Sequence, residues 1–451
     1  MNYTQCLQSL NDLGHELHQT KFDLESIQKI TRALGNPQSK YSTAIVAGTN
    51  GKGSTSAMLA GILTAAGYRT GLYSSPHLVR VNERIRVNGF EIADADFADS
   101  FSQVWRTVDG LLAKEELARR PSFFELLTAA AFLHFARAGI DFAVLEVGMG
   151  GRLDATNITE PRLAVITNID LDHQPFLGNT HAAIAWEKAG VIKAGRPVIS
   201  ACENPAAAEV IRKRAAELNA PLIELTYAAR VSNIKNLDRH YAFDLAVDGQ
   251  HFPALLTPLM GSFQIKNTSA AVAAAMRLNH EGFNISRAAV EEGLRTTSWP
   301  GRMEVICEHP LVVLDGAHNP AAAREIAAAA RALWPRRPLR LVYASMRDKA
   351  IGEISEILFP LARDVYVTQP EQERAAAPEE ILAATKYRLQ RIVIEPNPVR
   401  ALERACRESS ASDVVLVAGS LFLVGSIKRA LAEKQLDLES LAGHAVGSPL
   451  L

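Results

Sequence analysis

The 451-residue sequence has few cysteines and no long apolar run. Its four cysteines, Cys6, Cys202, Cys307 and Cys406, lie far apart and form no C-x-x-C pair. This spacing argues against a disulfide framework or a structural zinc site and is typical of a reducing compartment. No apolar run approaches the roughly 20 residues of a membrane span, and the N-terminus lacks the basic-then-apolar pattern of a signal peptide. We therefore expect a cytoplasmic protein with no membrane partner.

The sequence also lacks an excess of charge of either sign. Its 48 lysines and arginines face 49 aspartates and glutamates, and the formal net charge is -1. Such a balance gives no general attraction to nucleic acid, so we expect no nucleic-acid partner. The length is too great for one core and suits two or three domains, and we expect a monomer.

Short apolar segments alternate with helical patterns along most of the chain. In the first part, strands are predicted at 42–48, 69–75, 142–148, 163–169, 197–201 and 221–226. Helices are predicted at 122–138, 179–193, 265–282 and 286–295. This alternation predicts a mostly parallel sheet that is covered on both faces. Residues 228–260 differ, because their alternating pattern around Asp248-Gly249 predicts an antiparallel hairpin.

The same alternation restarts after Pro300-Gly301, a pair that breaks regular structure. Further strands are predicted at 311–316, 339–345, 364–370, 391–396 and 413–420, and a helical pattern clearly follows each but the last. We place a domain boundary near residue 297. The predicted fold class is α/β: a P-loop-type, mostly parallel sheet domain over 1–297, then a smaller Rossmann-like domain over 298–451.

The segment VAGTNGKGST at 46–55 lies between the first strand and a helix predicted to begin near Ser54. A glycine-rich turn there lets backbone N–H groups converge, and the helix start adds partial positive charge. The residues of this predicted phosphate cradle are Asn50, Gly51, Lys52, Gly53 and Ser54. Lys52 would reach the terminal phosphates, and Ser54 or Thr55 could hold Mg²⁺. Because the spacing departs from G-x-x-x-x-G-K-S/T, a plain turn with a solvent-exposed lysine is the alternative.

Ten motifs occur along the chain. They are AGTNGKGS (47–54), YSSPHL (73–78), NERIRVNG (82–89), SFFELLTAAAF (122–132), LEVGMGGRLDATN (145–157), NIDLDH (168–173), EKAGVIK (187–193), PGRME (300–304), LDGAHNP (314–320) and GSLFLVG (419–425). In this order they resemble the Mur-ligase superfamily, and closely its folylpolyglutamate synthase/dihydrofolate synthase branch. The resemblance covers nearly the whole chain.

The resemblance implies an ATP-dependent ligase. In this family ATP phosphorylates a carboxylate, and the amine of L-glutamate attacks the acyl phosphate to form an amide. The acceptor carboxylate belongs to dihydropteroate or to the last glutamate of a folate. Such chemistry requires neutralised phosphate charge, two anions brought together and exclusion of water. We therefore expect ATP and Mg²⁺ as cofactors, and L-glutamate with a folate or dihydropteroate as substrates.

The predicted ligands of two Mg²⁺ sites are Ser54 of the phosphate turn and three residues that match metal ligands of the family: Ser75, Glu146 and His173. Glu146 ends a predicted strand, where a carboxylate points to the ligand crevice, and Mg²⁺ prefers oxygen ligands beside substrate phosphates. Its alternatives are a helix cap or a salt bridge. Chemistry alone would not favour His173 as a ligand of a hard ion, so its assignment follows the resemblance, as does that of Ser75.

Lys188 matches a lysine that is carbamylated in the family. A carbamate replaces the cation with a carboxylate-like anion that can help to order a metal site. Its formation requires a neutral amine, which burial near other charges would favour by lowering the pKa. The alternative is a solvated helical lysine.

Three further residues match the nucleotide contacts of the family: Asn267, Arg302 and Asp315. Asn267 starts a predicted helix, and Arg302 lies in the linker between the domains. Asp315 ends a strand of the second domain, like an acid that holds a ribose hydroxyl. The alternative for Arg302 is a surface salt bridge worth under about 1 kcal/mol.

The second domain also offers candidates for glutamate recognition. We assign this role to His318, which is also a catalytic candidate with Lys52 and Lys188, and to Ser420. Lys349 is a weaker candidate of the same kind. Ordinary helix capping is the alternative for His318 and Ser420.

The resemblance implies an acceptor site that draws on three segments, 21–25, 122–125 and 152–155. Its residues are Phe22, Asp23, Ser122, Phe123, Phe124, Glu125, Leu153, Asp154 and Ala155. Phe123 and Phe124 could pack on the pterin ring, and a plain helical core is the alternative.

Two other functions fit part of the sequence. A peptidoglycan-type Mur ligase would perform the same chemistry on a UDP-linked acceptor. The block at 145–157 and the lack of an obvious UDP-binding N-terminal domain argue against it. The second is a non-catalytic nucleotide-binding protein, against which the presence of Lys52, Glu146 and His173 argues.

Overall fold

The computed structural model describes residues 1–14, 23–386 and 391–438, which form two units. The first unit comprises the described residues of Met1–Lys235 together with Ala242–Pro258 and Gln264–Thr297. The second unit comprises Asn236–Tyr241, Leu259–Phe263 and the described residues from Ser298 onward. The main division thus falls after Thr297, while two short segments from earlier in the chain join the second unit.

The first unit contains an eight-stranded sheet. Its strands are β1 (Ser42–Ala47), β2 (Thr70–Tyr73), β3 (Ile85–Val87), β4 (Phe90–Glu91), β5 (Phe142–Glu146), β6 (Leu163–Ile166), β7 (Val198–Ser200) and β8 (Leu222–Glu224). Their order is β4-β3-β2-β5-β1-β6-β7-β8, and only β3 and β4 are antiparallel to their neighbours. All six predicted strands are present. Every residue of β5 and β6 is buried, and because successive side chains point to opposite faces, both faces of the sheet are covered there.

The β3–β4 hairpin was not predicted from the sequence. Its turn consists of Asn88 and Gly89, whose φ angles are 51° and 84°. Positive φ at both central residues is typical of a two-residue hairpin turn, and Asn-Gly is a pair that favours this turn. The Asn-Gly pair could therefore have predicted the hairpin.

A separate three-stranded antiparallel sheet follows. Its strands are β9 (Ala229–Leu237), β10 (His240–Val247) and β11 (Gln250–Thr257), in the order β11-β10-β9. The predicted turn at Asp248-Gly249 joins β10 to β11 and has φ angles of 51° and 75°. Strand β9 was not predicted, because all but its first residue are exposed and no buried face imposes an alternating pattern.

Eleven α-helices lie between residues 1 and 297 of the described chain. They are α1 (Tyr3–Asn11), α2 (Glu25–Ala33), α3 (Lys52–Ala65), α4 (Asp94–Ala113), α5 (Phe123–Ala138), α6 (Gln174–Leu177), α7 (His181–Ala189), α8 (Pro205–Glu217), α9 (Leu225–Ala228), α10 (Phe263–His280) and α11 (Arg287–Thr296). One apolar cluster joins α1, α2, α4 and α5 to β2 and β5, and another joins α7 and α8 to β1, β6 and β7.

Three helices have boundaries that differ from the predicted ones. Helix α3 begins at Lys52 because Gly51, with φ 82°, allows the turn to enter the helix at once. Helix α7 is shorter than predicted, since Thr180 caps its start through the N–H of Ala183 and the helix ends before Gly190. Helix α10 begins at Phe263, so Asn267 lies in its second turn and does not start it.

The second unit contains a six-stranded sheet with helices between its strands. The strands are β12 (Glu304–Glu308), β13 (Leu311–Leu314), β14 (Leu339–Tyr343), β15 (Asp364–Val367), β16 (Ile392–Ile394) and β17 (Val414–Ala418). The helices are α12 (Pro320–Leu333), α13 (Ile351–Leu358), α14 (Pro378–Ala384), α15 (Pro398–Arg407) and α16 (Leu421–Ala432). The order is β12-β13-β17-β14-β15-β16, and only β12 is antiparallel.

Helix α16 follows the last strand, β17, although the sequence did not clearly indicate a helix there. The Ser420 side chain caps α16 by accepting a hydrogen bond from the N–H of Phe422. The apolar cluster of this unit includes Met260, from the short segment that joins it. All four cysteines are free, as their spacing predicted. Within the described ranges, no helix has both the length and the apolar character needed to cross a bilayer.

Helices α3 and α11 approach each other through two glycines, and this contact can be tested. A Cβ atom added to Gly293 would lie 2.4 Å from the Cα atom of Ile62. Because backbone cannot move aside cheaply, we expect Gly293→Ala to lower the free energy of unfolding by about 1–3 kcal/mol in urea titrations. Gly110→Ala is the control, since no atom lies within 4 Å of its added Cβ on α4, and it should stabilise by about 0.5 kcal/mol. Equal effects of the two substitutions would contradict this packing.

Candidate active site

Four neighbouring parallel strands, β2, β5, β1 and β6, end at one edge of the large sheet. In register, Val46 lies between Glu146 on β5 and Val165 on β6. The segments that follow these strands contain the glycine-rich turn and three of the predicted motifs. The sheet therefore brings distant parts of the sequence to one place.

Two of the predicted metal ligands meet at this edge. Glu146 is the last residue of β5 and only 4% exposed. Its Oε2 atom accepts a hydrogen bond of 3.3 Å from the backbone N–H of Ser75. A buried carboxylate at the end of a parallel strand is suited to a divalent cation, and the sequence had assigned it that position.

The glycine-rich turn is fixed to the segment after β6. The N–H of Thr49 donates to the carbonyl of Asn168 at 2.8 Å, and the N–H of Asn50 donates to its Oδ1 at 2.6 Å. Thr167 Oγ1 donates to the carbonyl of Asn50 at 2.7 Å. Gly48 has φ 151°, and an added Cβ would lie 1.8 Å from Thr167 Oγ1, so only glycine fits. The sequence had not singled out Thr167 or Asn168, although the latter lies in the motif after β6.

Two lysines converge on the carbonyl of Gly48. Lys52 Nζ donates to this oxygen at 3.1 Å and to the carbonyl of Thr49 at 3.2 Å. Lys188 Nζ, from α7, donates to the same Gly48 oxygen at 2.7 Å. The two side-chain nitrogens therefore lie close together at the backbone of the turn.

The environment of Lys188 is unfavourable for a cation. The residue is 4% exposed, so the alternative of a solvated helical lysine is wrong. Burial lowers the pKa of Lys188 well below its usual value, and the charge of Lys52 lowers it further, while Asp172 and Asp154 oppose these effects. The neutral amine that carbamylation requires is thus favoured here.

Residues of α10 complete one side of the turn. Gln264 Nε2 lies 3.4 Å from Ser54 Oγ, and its Oε1 accepts a hydrogen bond of 2.8 Å from Asn267 Nδ2. A Cβ added to Gly51 would lie 2.4 Å from Asn267 Oδ1. Asn267 therefore lies against the turn, as its assignment to the nucleotide requires, and Gln264 is a contact that the sequence analysis missed.

The donor set suits magnesium better than a softer metal. The described residues contain no group of three or more His, Cys, Asp or Glu side chains that could hold a metal ion. Mg²⁺ is commonly bound by one or two carboxylates and completed by water and substrate phosphates. Glu146 and the buried hydroxyl of Ser54 fit such a site. His173, which has φ 51° and precedes α6, stays a predicted ligand, and so does Ser75.

The predicted acceptor residues at 122–125 begin helix α5. Ser122 and Glu125 form a capping box, in which Glu125 Oε2 accepts hydrogen bonds from the N–H and the hydroxyl of Ser122 at 2.9 and 2.7 Å. The guanidinium carbon of Arg84 lies 5.3 Å from the ring centroid of Phe123. The ring of Phe124 packs beside Gly148, two residues after Glu146. Phe124 thus lies next to the end of β5, and both rings also pack against the apolar cluster of this part of the unit.

The other predicted acceptor residues lie in the loop after β5. Asp154 is buried, and its carboxylate holds this loop: Oδ2 accepts from the N–H groups of Gly148 and Met149 at 3.0 and 3.1 Å. Its Oδ1 accepts from the N–H and the hydroxyl of Thr156. Burial raises the pKa of the Asp154 carboxyl, and these hydrogen bonds oppose the rise. Asp23 accepts from the N–H of Glu25, whereas Phe22 lies outside the described residues.

In the second unit, Asp315 follows β13 and is buried. Its two oxygens accept from the N–H groups of Met303 and Ala317 at 2.9 and 2.7 Å. Burial raises the pKa of Asp315, and the nearby charge of Arg302 opposes the rise. Arg302 itself donates to the carbonyl of Gly301 at 3.1 Å. Because its charge acts on Asp315, the two residues predicted to contact the nucleotide, Arg302 and Asp315, are neighbours.

The loops that carry His318 and Ser420 are joined. The N–H of Gly419 donates to the carbonyl of Ala317 at 3.0 Å. His318 Nδ1 lies 2.8 Å from the carbonyl of Gly316, which requires a proton on that nitrogen. Ser420 is 1% exposed, and its hydroxyl caps α16, as the capping alternative predicted. Its assignment to glutamate stays a prediction.

Comparison with known proteins identifies the family of the chain. Residues 46–275 match the Mur ligase middle domain, and residues 301–421 match the Mur ligase glutamate ligase domain. The dihydrofolate synthase/folylpolyglutamate synthase of Bacillus subtilis is 34% identical over 410 residues, covering 90% of this chain and 94% of that protein. The chain belongs to the folylpolyglutamate synthase/dihydrofolate synthase family. The family member from Escherichia coli is 33% identical over 91% of the chain and 92% of its own length.

Solved structures of this folylpolyglutamate synthase/dihydrofolate synthase family have the same fold. Escherichia coli FolC in complex with DHPP and ADP gives a TM-score of 0.84 at 31% identity and covers 95% of this chain and 98% of that one. The bifunctional enzyme of Yersinia pestis complexed with AMPPNP and a Mn ion also gives 0.84 at 31% identity, over 96% and 98%. The predicted fold class and family are therefore confirmed.

The buried amine of Lys188 should make the free energy of unfolding depend on pH. Because the folded-state pKa is lowered, the unfolded chain binds more protons between that pKa and the usual value of about 10.4, so wild-type stability rises with pH across this window. In bicarbonate-free buffer we expect Lys188→Met to exceed the wild type in free energy of unfolding at pH 7 by about 1 kcal/mol or more. The difference should shrink as the pH rises toward 10.

Denaturant titrations at several pH values measure this difference. Lys213→Met on α8, where the lysine is exposed, is the matched control and should show no such trend. A Lys188→Met variant that is less stable than the wild type by a constant amount at every pH would refute the argument.

Proposed function

We propose that this protein is an ATP-dependent ligase that joins L-glutamate to the terminal carboxylate of a folate and also to dihydropteroate, through an acyl phosphate. The observation that carries the proposal is the convergence of Lys52, Lys188 and Glu146 around the turn after β1. A lysine cation, a buried second lysine beside it and a buried carboxylate at a strand–helix turn suit a nucleotide triphosphate and its magnesium ion. The relatives that bear the names of both folate reactions support this choice of acceptor.

The first unit supplies the residues assigned to the phosphates of the nucleotide and to Mg²⁺. The backbone N–H groups at the start of α3 face the phosphates, and Asn267 borders them on the α10 side. Lys52 places positive charge on the transferring phosphoryl group. Mg²⁺, when held by Glu146 and Ser54, would neutralise developing charge on the phosphate oxygens.

The acceptor lies on the other side of Glu146. Phe123 and Phe124 offer aromatic faces at the end of β5, and Leu153 and Ala155 lie in a loop that Asp154 holds closed. We assign the pterin to this surface, because it leaves the acceptor carboxylate directed toward the turn. Holding the two reactants in place removes much of the entropic cost of their encounter.

The remaining assigned residues belong to the second unit. Asp315 and Arg302 are assigned to the nucleotide, and His318 to the incoming glutamate, with Ser420 and Lys349 as weaker candidates. The ring of His318 is oriented by its contact with the carbonyl of Gly316. We also propose that the protein acts as a monomer in the cytoplasm, on the grounds given by its composition.

The acceptor assay tests this proposal. Phosphate release that requires glutamate should be stimulated by tetrahydrofolate and by dihydropteroate, measured side by side, and not by a UDP-muramyl substrate. Glu146→Gln should lower kcat/KM by about 100-fold or more, since it removes charge from a metal site without changing shape. Glu209→Gln on α8, an exposed glutamate, is the matched control.

Each alternative function predicts a different outcome of this assay. Turnover with only the UDP-linked acceptor would identify a peptidoglycan-type ligase. No glutamate-dependent turnover with any acceptor would identify a non-catalytic nucleotide-binding protein.

We further propose that Lys188 is carbamylated in the active enzyme. Its burial and its lowered pKa support this modification, because carbon dioxide reacts with the neutral amine. Activity should then fall in bicarbonate-free buffer and return when bicarbonate is added, and native mass spectrometry should show an added mass of one CO₂. Lys188→Glu, which carries a carboxylate without carbon dioxide, is a useful comparison. Full activity of a bare lysine in carbonate-free buffer would exclude the modification.

A further inference from the structure

The loop after β5 is joined to the end of the helix that carries Lys188. The N–H of Arg152 donates to the carbonyl of Glu187 at 2.8 Å, and the Arg152 side chain pairs with the Glu187 carboxylate at 2.9 Å. A Cβ added to Gly151 would lie 3.0 Å from the carbonyl oxygens of both Glu187 and Lys188. The acceptor loop thus lies directly against the last turn of α7.

One buried side chain completes this junction. Asn157 is 5% exposed, and its Nδ2 donates to the carbonyl of Arg152 in the loop and to that of Gly190 after α7, both at 3.0 Å. Lys193 Nζ in turn donates to the Asn157 carbonyl at 3.0 Å. The sequence analysis included Asn157 and Lys193 in matched motifs but gave neither a role.

Asparagine is chemically suited to this position. The last carbonyls of a helix have no partner within the helix and need donors from elsewhere. The amide nitrogen carries two N–H groups in one plane, so it can serve two carbonyls at once, whereas serine has one donor and an aspartate has none. A Cβ added to Gly190 would lie 2.5 Å from the Cα atom of Arg152, so the two backbones are in direct contact here.

The junction links the two halves of the site. On one side lie Leu153 and Ala155, assigned to the acceptor. On the other lies Lys188, whose ammonium contacts the carbonyl of Gly48 in the phosphate turn. A shift of the loop must therefore move the end of α7, because close-packed backbone transmits displacement instead of absorbing it.

We propose that Asn157 is a positioning residue that holds the acceptor loop and the Lys188 helix as one rigid piece, so that acceptor binding and nucleotide binding affect each other through it. This inference rests on the proposed function. It adds a thermodynamic coupling between the two ligands and names the side chain that carries it. Lys193, by fixing the backbone of Asn157, supports the same junction.

The test is a binding cycle on the full-length protein. The Kd of tetrahydrofolate is measured by calorimetry without nucleotide and with saturating AMPPNP and Mg²⁺. The ratio of the two values is the coupling. For the wild type we expect a ratio of about fivefold or more in either direction. For Asn157→Asp, which keeps the shape but turns both donors into acceptors, the ratio should fall to about unity.

Two further variants separate positioning from a general loss of structure. Asn204→Asp, at the cap of α8, is the matched control and should keep the wild-type ratio, because an aspartate still accepts from the N–H of Ala207. Lys193→Met should reduce the ratio while leaving the Asn157 amide intact, and it carries the test alone if Asn157→Asp gives no cooperative thermal transition. A merely structural role would lower the melting temperature without changing the ratio.

The possible failures are distinguishable. If Asn157→Asp and Lys193→Met both keep the wild-type ratio, or if the wild type itself shows a ratio of unity, Asn157 does not couple the ligands, while the ligase function stands. If the wild type neither binds tetrahydrofolate nor turns over with any folate acceptor, the proposed function is wrong and this inference falls with it.

Discussion

The carbonyl oxygen of Gly48 is the point on which the large unit's site depends. It accepts hydrogen bonds from two lysines that are 136 residues apart in sequence, Lys52 and Lys188. A second positive charge beside Lys52 in a buried place is unfavourable, and a single carbonyl dipole compensates for only part of that cost, so Lys188 is favoured as the neutral amine. The arrangement thus leaves the charge of Lys52 for an anion bound at the turn and places beside it a neutral amine, the form that carbamylation requires.

The same constraint explains the choice of residues around it. Gly48 must be glycine because Thr167 occupies the space of a Cβ, and Gly51 must be glycine because Asn267 does. Thr167 donates to the backbone of this turn, and Asn267 lies against it. Glu146 ends the neighbouring strand β5, and Phe124 of α5 packs beside Gly148 just after that strand, so the phosphate, metal and acceptor residues lie at one sheet edge. Position in the parallel sheet, more than proximity in sequence, determines which residues act together.

Much of this could be predicted from the sequence, and the exceptions have physical causes. The parallel strands, the turn and Glu146 were predictable because continuous apolar strands and a glycine-rich strand–helix turn leave strong local signals. Strand β9 left none, since its exposed residues need not alternate. The burial of Lys188 could not be read from a helix whose other residues are ordinary. Asp154 and Ser420 accept hydrogen bonds from the backbone of their own loops, and this structural role could be recognised only from the structure.

Two short segments from before residue 298 belong to the second unit, and this limits how the chain can be divided. The second unit takes Asn236–Tyr241 and Leu259–Phe263 from the chain before its main segment, and Met260 belongs to its apolar cluster. A gene cut at the codon for Ser298 would therefore yield a fragment that lacks part of its own core. Simple fusion of the segment from Ser298 onward to another protein would leave out the same residues.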